Sequence, residues 1–484
     1  MKKFSIGKLG FGTLTALGLL LASAPASAAT ILVDHAICTL SDAIEAANAD
    51  VTFGGCLAGS GADTIVLPES STLVLSEELP AIESFVTIEA NGSTITRDPS
   101  ASDFTILRAT FEGGLTLNEA TITGGTDAGI YVSYAELTLN DCVITGNTGD
   151  HDHGGIVAAW GHTTVLNRST VSGNEGNAIT AVAGNLTVSR SAIVSNDGNG
   201  IYAHYTDLEV LDSTISSNEG VGFFGEGKVA GCTISNNAAA GIRSWENFEI
   251  RNSIVTGNDG SYGREVEFFD SYGYGIVVPS DHNVFGHDGD AGLYGMSVSA
   301  TDIVPAGPVG SIMDPELAFN GGPTLTHLLR SDSPARDAGL GCSAFDQRGV
   351  EHSQGPFGCD IGAVELMPDP CGTAVASSGC TVNGVPNVRC LGTMAGDVIV
   401  GTTGADMIVA RGGDDVVWAA GGDDIVCGGD GNDALHGGSG ADRVSGGAGA
   451  DSIFGDHGAD LLNGGTGIDA CSTDASDVSV VTCN

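Results

Sequence analysis

The chain has 484 residues, with 60 acidic against 17 basic side chains and a formal net charge of −43 at pH 7. Nucleic acid and anionic membrane surfaces would repel a chain this negative, so the composition excludes both as partners. It is compatible with cation binding, and the length allows two or three domains.

The first 28 residues have the pattern of a secretory signal peptide. Basic residues near the start precede an apolar run over 9–22, and Ala26-Ser27-Ala28 offers a small-residue cleavage site. The apolar run is short for a membrane span, and no later stretch is apolar enough for a transmembrane helix. We therefore predict removal of residues 1–28 and a location outside the cell or at its surface.

A repeat of three short β-branched strands separated by polar turns fills residues 111–290. Its units include CVITGN, STVSGN, SAIVSN, STISSN, CTISNN and SIVTGN. Their closing residues are Asn147, Asn174, Asn196, Asn218, Asn237 and Asn258. Such units describe the coils of a parallel β-helix, whose equivalent residues stack about 4.8 Å apart. We expect the asparagines to form a ladder in which each amide bonds the next.

The twelve cysteines of an exported chain predict disulfides. Short loops favour the pairs Cys38–Cys56, Cys342–Cys359, Cys371–Cys380 and Cys471–Cys483, with Cys390–Cys427 as a further pair. Cys142 and Cys232 differ, because serine holds their place in the other coils. We expect both of them to be free and buried.

The repeats resemble the right-handed parallel β-helix family, shared by pectate lyases and many bacterial surface proteins. CTLSDAIEAANADVTFGGC, followed by GADTIVLP, resembles an N-terminal module of exported bacterial β-helix proteins. Residues 29–110 are accordingly expected to form a cap, helical at TLSDAIEAAN, and the first coils. NGGPTLTHLL, SPARDAG, DQRG and CDIGAVE, within a predicted segment 291–366, resemble the C-terminal end of such β-helices. The resemblance implies architecture and no chemistry.

Nonapeptides with phase-locked glycine, aspartate and aliphatic positions occupy residues 392–471, between a Cys-containing linker (367–391) and a tail (472–484). The aspartates at position 6 are Asp397, Asp406, Asp415, Asp424, Asp433, Asp442, Asp451, Asp460 and Asp469. The pattern G-G-x-G-x-D-x-U-x is similar to the RTX, or haemolysin-type, calcium-binding repeats. Some leading glycines are replaced, as at Arg411, Ala420 and Asp456, and the repeats from 428 onward keep the pattern best.

The spacing of these nine aspartates predicts a metal site. Two nonapeptides complete one coil, so carboxylates 18 residues apart stack on the same edge and repel each other. Calcium reverses that repulsion, because it accepts carboxylate and backbone carbonyl oxygens at about 2.3–2.6 Å in flexible geometry. We therefore predict that all nine aspartates are Ca²⁺ ligands. With one inward apolar residue in nine, the segment is expected to fold only with the ion.

The sequence assigns no catalytic residues. The run GDHDHGG at 149–155 is the best candidate on the β-helix, but a polar loop explains it more simply, and it lacks the Asp-Pro-His arrangement of alginate epimerases. Arg243 and Arg251 could line one face with Tyr202 and His204. Trp160 and Trp245 could stack on sugar rings or simply pack on the surface. Whether the protein is an enzyme stays open at this point.

The sequence thus predicts an all-β protein, in which a right-handed parallel β-helix is followed by a calcium-bound parallel β-roll. The predicted function is that of a secreted calcium-binding protein in adhesion, matrix or glycan binding. The alternative is an extracellular polysaccharide lyase or C5-epimerase that acts on uronic-acid polymers. The expected partners are calcium ions and an extracellular polysaccharide or cell-surface glycan.

Overall fold

The structure is a computed structural model. It describes residues 28–34, 36–111, 113–149, 153–160, 163–245, 248–259, 264–269, 280–320, 322–330, 333–350, 352, 358–366, 379–386, 390–472, 479–481 and 483. The predicted signal peptide up to residue 27, the loop residues Asp150, His151 and Asp152, and most of the linker lie outside this part. Within it, no helix has the length and apolar character that a membrane crossing needs.

An α-helix, Leu40–Ala49, lies at the N-terminal end of the β-helix, as predicted. The Thr39 hydroxyl accepts the Asp42 N–H, while the Asp42 carboxylate accepts the Thr39 N–H, and this reciprocal pair fixes the start of the helix. Leu40 and Ile44 are among the residues on its buried face, which packs into the core. The helix therefore covers apolar side chains that the first coil would otherwise expose to water.

Three ladders of parallel strands form the β-helix. The first ladder contains Thr30–Leu32, Asp63–Val66, Phe85–Glu89, Gly114–Asn118, Glu136–Asn140, Thr163–Asn167, Ile179–Ser189, Ile201–Leu211, Gly227–Ala230, Phe248–Arg251 and Ser280–Asp281. The second contains Leu107–Thr110, Ile130–Ser133, Ile156–Ala159, the two long strands Ile179–Ser189 and Ile201–Leu211, Phe223–Phe224, Ile242–Ser244, Val266–Phe268 and Leu293–Tyr294. The third contains Thr72–Leu75, Thr94–Arg97, Thr121–Thr123, Val143–Thr145, Thr170–Ser172, Ala192–Val194, Thr214–Ser216, Thr233–Ser235, Ile254–Thr256 and Val284–Phe285.

Rows of aliphatic side chains fill the interior of the β-helix. In the first ladder Leu139 lies opposite Leu166, Leu166 opposite Val188, and Val188 opposite Val210, and all four are fully buried. Each such side chain contributes about 1.5–3 kcal/mol by leaving water. Stacking supplies the apolar contacts that one isolated coil lacks.

The predicted asparagine ladder is confirmed. The Asn174 side-chain amide donates to Asn196 Oδ1 at 2.9 Å, and Asn196 donates in turn to Asn218 at 2.9 Å. The row ends where Asn258 Nδ2 donates to the Glu265 carboxylate at 2.7 Å. Burial raises the pKa of Glu265. Because each amide both donates and accepts, the interior of this row is hydrogen-bonded without any ion.

The small-residue position beside this ladder is also as predicted. Cys142 and Cys232 are free and buried, and burial raises the pKa of the Cys142 thiol to about 12. The Cys142 N–H donates to Ser169 Oγ at 3.1 Å, and the Ser169 N–H donates to Ser191 Oγ at 3.1 Å. This inward-facing position is therefore a row of small side chains, in which each serine hydroxyl accepts a hydrogen bond from a backbone N–H of the preceding coil.

The segment after the last coil packs along the outer face of the third ladder. It begins near the 3₁₀ turn Val309–Ser311. Thr214 Oγ1 donates to Gln347 Oε1 at 2.6 Å, and the Ala363 N–H donates to Thr233 Oγ1 at 3.1 Å. This lateral cover buries polar residues of the third ladder, such as Ser216 and Ser235, that would otherwise face solvent.

A second solenoid, the β-roll, follows. Its first sheet contains Thr381–Val382, Val385–Pro386, Val398–Val400, Val416–Trp418, Ala434–Ser439, Ser452–His457 and Ala470–Ser472. Its second sheet contains Met407–Gly412, Ile425–Asp430, Arg443–Ala448, Leu461–Thr466 and Ser479–Val481. Val417 pairs with Leu435 and Val426 with Val444, which confirms the predicted coil of two nonapeptides.

The disulfides correct two predictions. Cys38–Cys56, Cys342–Cys359 and Cys471–Cys483 form as predicted. Cys380, however, pairs with Cys390, so the predicted pairs Cys371–Cys380 and Cys390–Cys427 are wrong. The antiparallel pair Thr381–Val382 and Val385–Pro386 reverses the chain between the two cysteines and brings them together. Cys427 is also disulfide-bonded.

Candidate metal centre

The nine predicted aspartates lie in two rows. Each one directly precedes a strand of the roll whose apolar side chain points inward. One row contains Asp397, Asp415, Asp433, Asp451 and Asp469, and the other contains Asp406, Asp424, Asp442 and Asp460. Every one is at most 5% exposed. Burial of so many acidic side chains is costly unless hydrogen bonds or a cation compensate it.

One oxygen of each carboxylate has a defined role within the stack. The Asp415 N–H donates to Asp433 Oδ1 at 2.8 Å, and the Asp433 N–H donates to Asp451 Oδ1 at 2.9 Å. The same bond joins Asp424 to Asp442 at 2.8 Å and Asp442 to Asp460 at 2.9 Å. These bonds hold each carboxylate at a fixed angle, directed along the stack.

The second carboxylate oxygen, Oδ2, has no hydrogen-bond partner in most of these aspartates. In the described part of the chain, Oδ2 is buried and has no hydrogen-bond partner in Asp415, Asp424, Asp433, Asp442, Asp451 and Asp469. Burial raises the pKa of Asp415, Asp424 and Asp433 to about 6, and neighbouring aspartates add to the shift. A buried oxygen in this state costs about 1–3 kcal/mol or more, so the stack requires a cation or protons.

Glycine at the first repeat position allows the Oδ2 atom of the aspartate and a backbone carbonyl oxygen to approach closely. A Cβ on Gly446 would lie 2.2 Å from Asp451 Oδ2 and 2.5 Å from the carbonyl oxygen of Gly464. A Cβ on Gly428 would lie 2.3 Å from Asp433 Oδ2 and 2.5 Å from the Gly446 carbonyl oxygen. The missing side chain therefore lets a carboxylate oxygen and a backbone carbonyl oxygen, the oxygen types that Ca²⁺ prefers, approach the same glycine closely.

The first two aspartates differ from the others. Asp397 Oδ2 accepts the Thr393 N–H at 2.5 Å, and Asp406 Oδ2 accepts the Thr402 N–H at 2.6 Å and its hydroxyl at 2.8 Å. Hydrogen bonds already satisfy the oxygen that a cation would need. These two positions thus fit a calcium ligand less well than the six aspartates with unpartnered Oδ2 atoms.

Substituted glycines leave backbone strain in the roll. Arg411, Ala420 and Asp456 occupy the second repeat position with φ values of 84°, 83° and 69°. Residues that carry a side chain rarely adopt this left-handed backbone conformation, which glycine tolerates. The strained coils are therefore expected to depend more on the ion than the regular ones.

Among the residues that the structure describes, the candidates on the β-helix do not converge on a catalytic centre. His153 lies 3.9 Å from Asp127, and the rest of its loop is outside the described part. Arg243 lies in the same row as Tyr202, but its Nε donates to Glu267 at 2.6 Å. Arg251 is on the first ladder, so the proposed face of two arginines does not form.

A feature that the sequence reasoning missed is a row of rings on the outer face of the second ladder. This aromatic face consists of Tyr202, Tyr205, Phe224, Trp245, Phe269 and Tyr294. The rings of Tyr202 and Phe224 stack at 4.8 Å, Phe224 meets Trp245 edge-on at 4.4 Å, and Phe269 and Tyr294 are 5.5 Å apart. Tyr205, Trp245 and Tyr294 are 73%, 40% and 45% exposed. Aligning the residues that flank each inward isoleucine of the repeat would have shown the row.

Two family patterns match the chain. The right-handed β-helix region matches residues 86–239, and the RTX calcium-binding nonapeptide repeat matches residues 393–435 and 436–470. No curated protein matches the whole sequence significantly.

Among solved structures, pectate lyase Pel9A is 15% identical, with a TM-score of 0.37 over 68% of this chain and 91% of that chain. The PL6 family alginate lyase AlyGC is 8% identical, with a TM-score of 0.28 over 85% of this chain and 76% of that chain. Similarities this remote support no conclusion about activity. The chain is a right-handed parallel β-helix protein with C-terminal RTX calcium-binding repeats.

Proposed function

We propose that this protein is exported, that calcium completes its β-roll outside the cell, and that its β-helix contacts an extracellular polysaccharide in adhesion or matrix assembly. The observation that supports the calcium role best is the set of buried, unpartnered Oδ2 atoms in the aspartate rows. In Asp433, Asp442 and Asp451 this oxygen lies directly against a first-position glycine, whereas alanine holds that position in the repeats of Asp415 and Asp424.

Calcium binding and folding of the roll are coupled in this proposal. The inward residues, such as Val417, Leu435 and Ile453, form a core with one apolar side chain for each nonapeptide. Such a core is too thin to offset the buried carboxylates, so the ion supplies much of the folding free energy. Extracellular calcium sites are tuned to about 10⁻⁴–10⁻³ M, and the roll would therefore fold after export.

The ligands proposed as strongest are Asp415, Asp424, Asp433, Asp442 and Asp451, together with backbone carbonyls such as that of Gly446. Asp469 has the same unpartnered oxygen, and Asp460 continues the second row. Asp397 and Asp406 would bind calcium only after losing their threonine hydrogen bonds.

The aromatic face supports the polysaccharide contact. Exposed rings such as Tyr205, Trp245 and Tyr294 offer electron-rich faces to the C–H groups of a sugar ring. Glu267 pairs with both Arg243 and Arg264 beside these rings. With its arginines neutralised and a chain charge of −43, this surface favours a neutral polysaccharide over a polyuronate.

The alternative, a lyase or C5-epimerase on uronic-acid polymers, has weaker support. Such chemistry needs a group that neutralises the substrate carboxylate, a base and a proton donor. Arg243 is already paired, and Arg251 lies on another ladder. Incubation of the calcium-loaded protein with alginate and pectin tests the alternative. Unsaturated products, seen by ultraviolet absorbance, or epimerised residues, seen by proton NMR, would establish it.

Binding of the calcium-loaded chain to insoluble cellulose and chitin tests the polysaccharide contact. We expect Trp245→Ala and Tyr205→Ala to reduce retention, because each removes a ring from the aromatic face. Trp418→Ala is the matched control, since Trp418 is 46% exposed but lies in the β-roll, outside this face. Equal retention of all three variants and the parent chain would contradict the proposed surface.

A further inference from the structure

A buried carboxylate near the N-terminal end of the β-helix has an unpartnered oxygen, as the proposed calcium ligands do. Asp63 is the first residue of the strand Asp63–Val66 and is 1% exposed. Its Oδ1 accepts the Ser60 N–H at 2.7 Å and the Ala29 N–H at 3.0 Å. Its Oδ2 is buried and has no hydrogen-bond partner among the described residues.

The backbone of Ala29 is fixed beside this carboxylate. The Ala29 carbonyl accepts the Thr64 N–H at 2.8 Å, which places Ala29 in register with the first ladder. Ala28, directly before it, is exposed. The Ala28–Ala29 bond is also the bond that the small-residue pattern marks for cleavage.

The surroundings of Asp63 favour a cation. A Cβ on Gly59 would lie 2.3 Å from Asp63 Oδ2 and 2.8 Å from the carbonyl oxygen of Ala46, in the last turn of the α-helix. The C-terminal end of a helix carries partial negative charge. No basic residue stands in that last turn. In the described part of the chain, a carboxylate and a helix C-terminus therefore meet here with no basic residue in that turn to balance them.

We infer that hydrolysis of the Ala28–Ala29 bond creates the missing cation, the α-ammonium group of Ala29, which forms a buried ion pair with Asp63. Water supplies a hydroxyl group to the Ala28 carbonyl and a proton to the Ala29 nitrogen, which then takes a further proton from solvent. The amide of the uncleaved chain offers one N–H, already directed at Oδ1. The ammonium group offers three, so it can serve Oδ2 as well.

This ion pair would make removal of the leader a step in folding. In the precursor, the buried Oδ2 destabilises the first coil, and cleavage turns the same atom into half of an ion pair. Breaking a buried pair by losing one partner is strongly destabilising. The precursor would therefore stay easier to unfold until export. The inference rests on the proposed export, but the ion pair itself can be tested apart from it.

The first test is the N-terminal sequence of the exported protein, which should begin at Ala29. The second compares two forms of the protein that both extend to the C-terminus and are released from a fusion by site-specific proteolysis. One begins at Ala29 and the other at Ser27. In the longer form the Ala29 nitrogen is an amide again. Hydrogen exchange in Thr30–Leu32 and Asp63–Val66 should be about tenfold or more slower in the Ala29 form.

Asp63→Asn should abolish this difference, because it removes the anionic partner. Asp50→Asn is the matched control: Asp50 accepts the Gly61 N–H at 3.1 Å in the same region and should leave the difference intact. Another N-terminus, equal exchange in both forms, or a difference that survives Asp63→Asn would overturn the inference. If Asp63→Asn does not fold, the comparison of the two parent forms still decides. Failure of export would instead count against the proposed function.

Discussion

The β-helix and the β-roll both stack one polar side chain on its copy in the next coil, but the two rows differ in what completes them. In the β-helix, Asn196 receives from Asn174 and donates to Asn218, so the amides satisfy one another. In the roll, Asp433 Oδ1 accepts the Asp415 N–H, and Oδ2 has no partner. An amide carries both donor and acceptor, whereas a carboxylate carries only acceptors. The first solenoid therefore satisfies its own hydrogen bonds, and we expect the second to need a cation.

Calcium removal should produce the largest difference in stability between the two regions. With excess chelator, the roll should lose its strands, because buried carboxylates repel without the ion, while the β-helix should keep its own. Circular dichroism and limited proteolysis of the full chain measure this. Magnesium is the control ion and should restore little structure, since it requires stricter octahedral geometry. A roll that resists protease equally with and without calcium would contradict the difference.

Breaking the asparagine ladder should give the next largest effect. Asn196→Ala removes the oxygen that accepts both the backbone N–H and the side-chain amide of Asn174, and a buried group left without its partner costs about 1–3 kcal/mol. The loss should be the same at all calcium concentrations that keep the roll folded. Urea unfolding measures it, and Asn140→Ala, in the half-buried row where Asn140 donates to Asn118 at 2.9 Å, is the milder control. A calcium-dependent loss would show that the two regions are coupled.

A single aspartate should have a smaller effect. Asp433→Asn replaces an anionic ligand with a neutral one, and we expect calcium affinity to fall about tenfold, equivalent to about 1.4 kcal/mol. Asp397→Asn is the matched control, because a threonine N–H already satisfies Asp397 Oδ2. Isothermal titration of the full chain compares the two variants. Equal losses would show that the unpartnered oxygen does not distinguish the sites.

The smallest effect is that of pH on calcium binding. Burial raises the pKa of Asp415, Asp424 and Asp433 to about 6 from an ordinary value of 3.8. Protons therefore compete with calcium as pH falls below about 6, and apparent calcium affinity should weaken there.

The stability of the calcium-free roll should change in the opposite direction. Raising pH from about 4 to about 6 destabilises the folded roll, because its buried carboxylates ionise at higher pH than those of the unfolded chain. Titrations on both sides of this range measure the change, and an affinity independent of pH would contradict it.

The sequence was sufficient to predict the repeating architecture. The period placed Asn147 to Asn258 in one row and the aspartates in two, because a solenoid stacks equivalent positions. It showed that the repeats before 428 are less regular, but not that threonines would bond Asp397 and Asp406, since those bonds depend on how each turn closes.

Other features depend on where the coils bring side chains, which a linear pattern does not give. The Cys380–Cys390 disulfide follows from a hairpin that loop lengths do not reveal. The aromatic face arises from residues in different coils, and Trp245 and Phe269 lie just after their strands. The role of Asp63 likewise requires knowing that Ala29 pairs with the next coil.

The most direct test of the central claim is a crystal structure of the full chain grown with calcium, with anomalous scattering used to locate the ions. We predict calcium peaks inside the turns of the roll, at about 2.3–2.6 Å from the Oδ2 atoms of Asp433 and Asp451. A calcium-saturated crystal in which these turns hold no ion, and in which protein donors satisfy the same oxygens, would contradict the account.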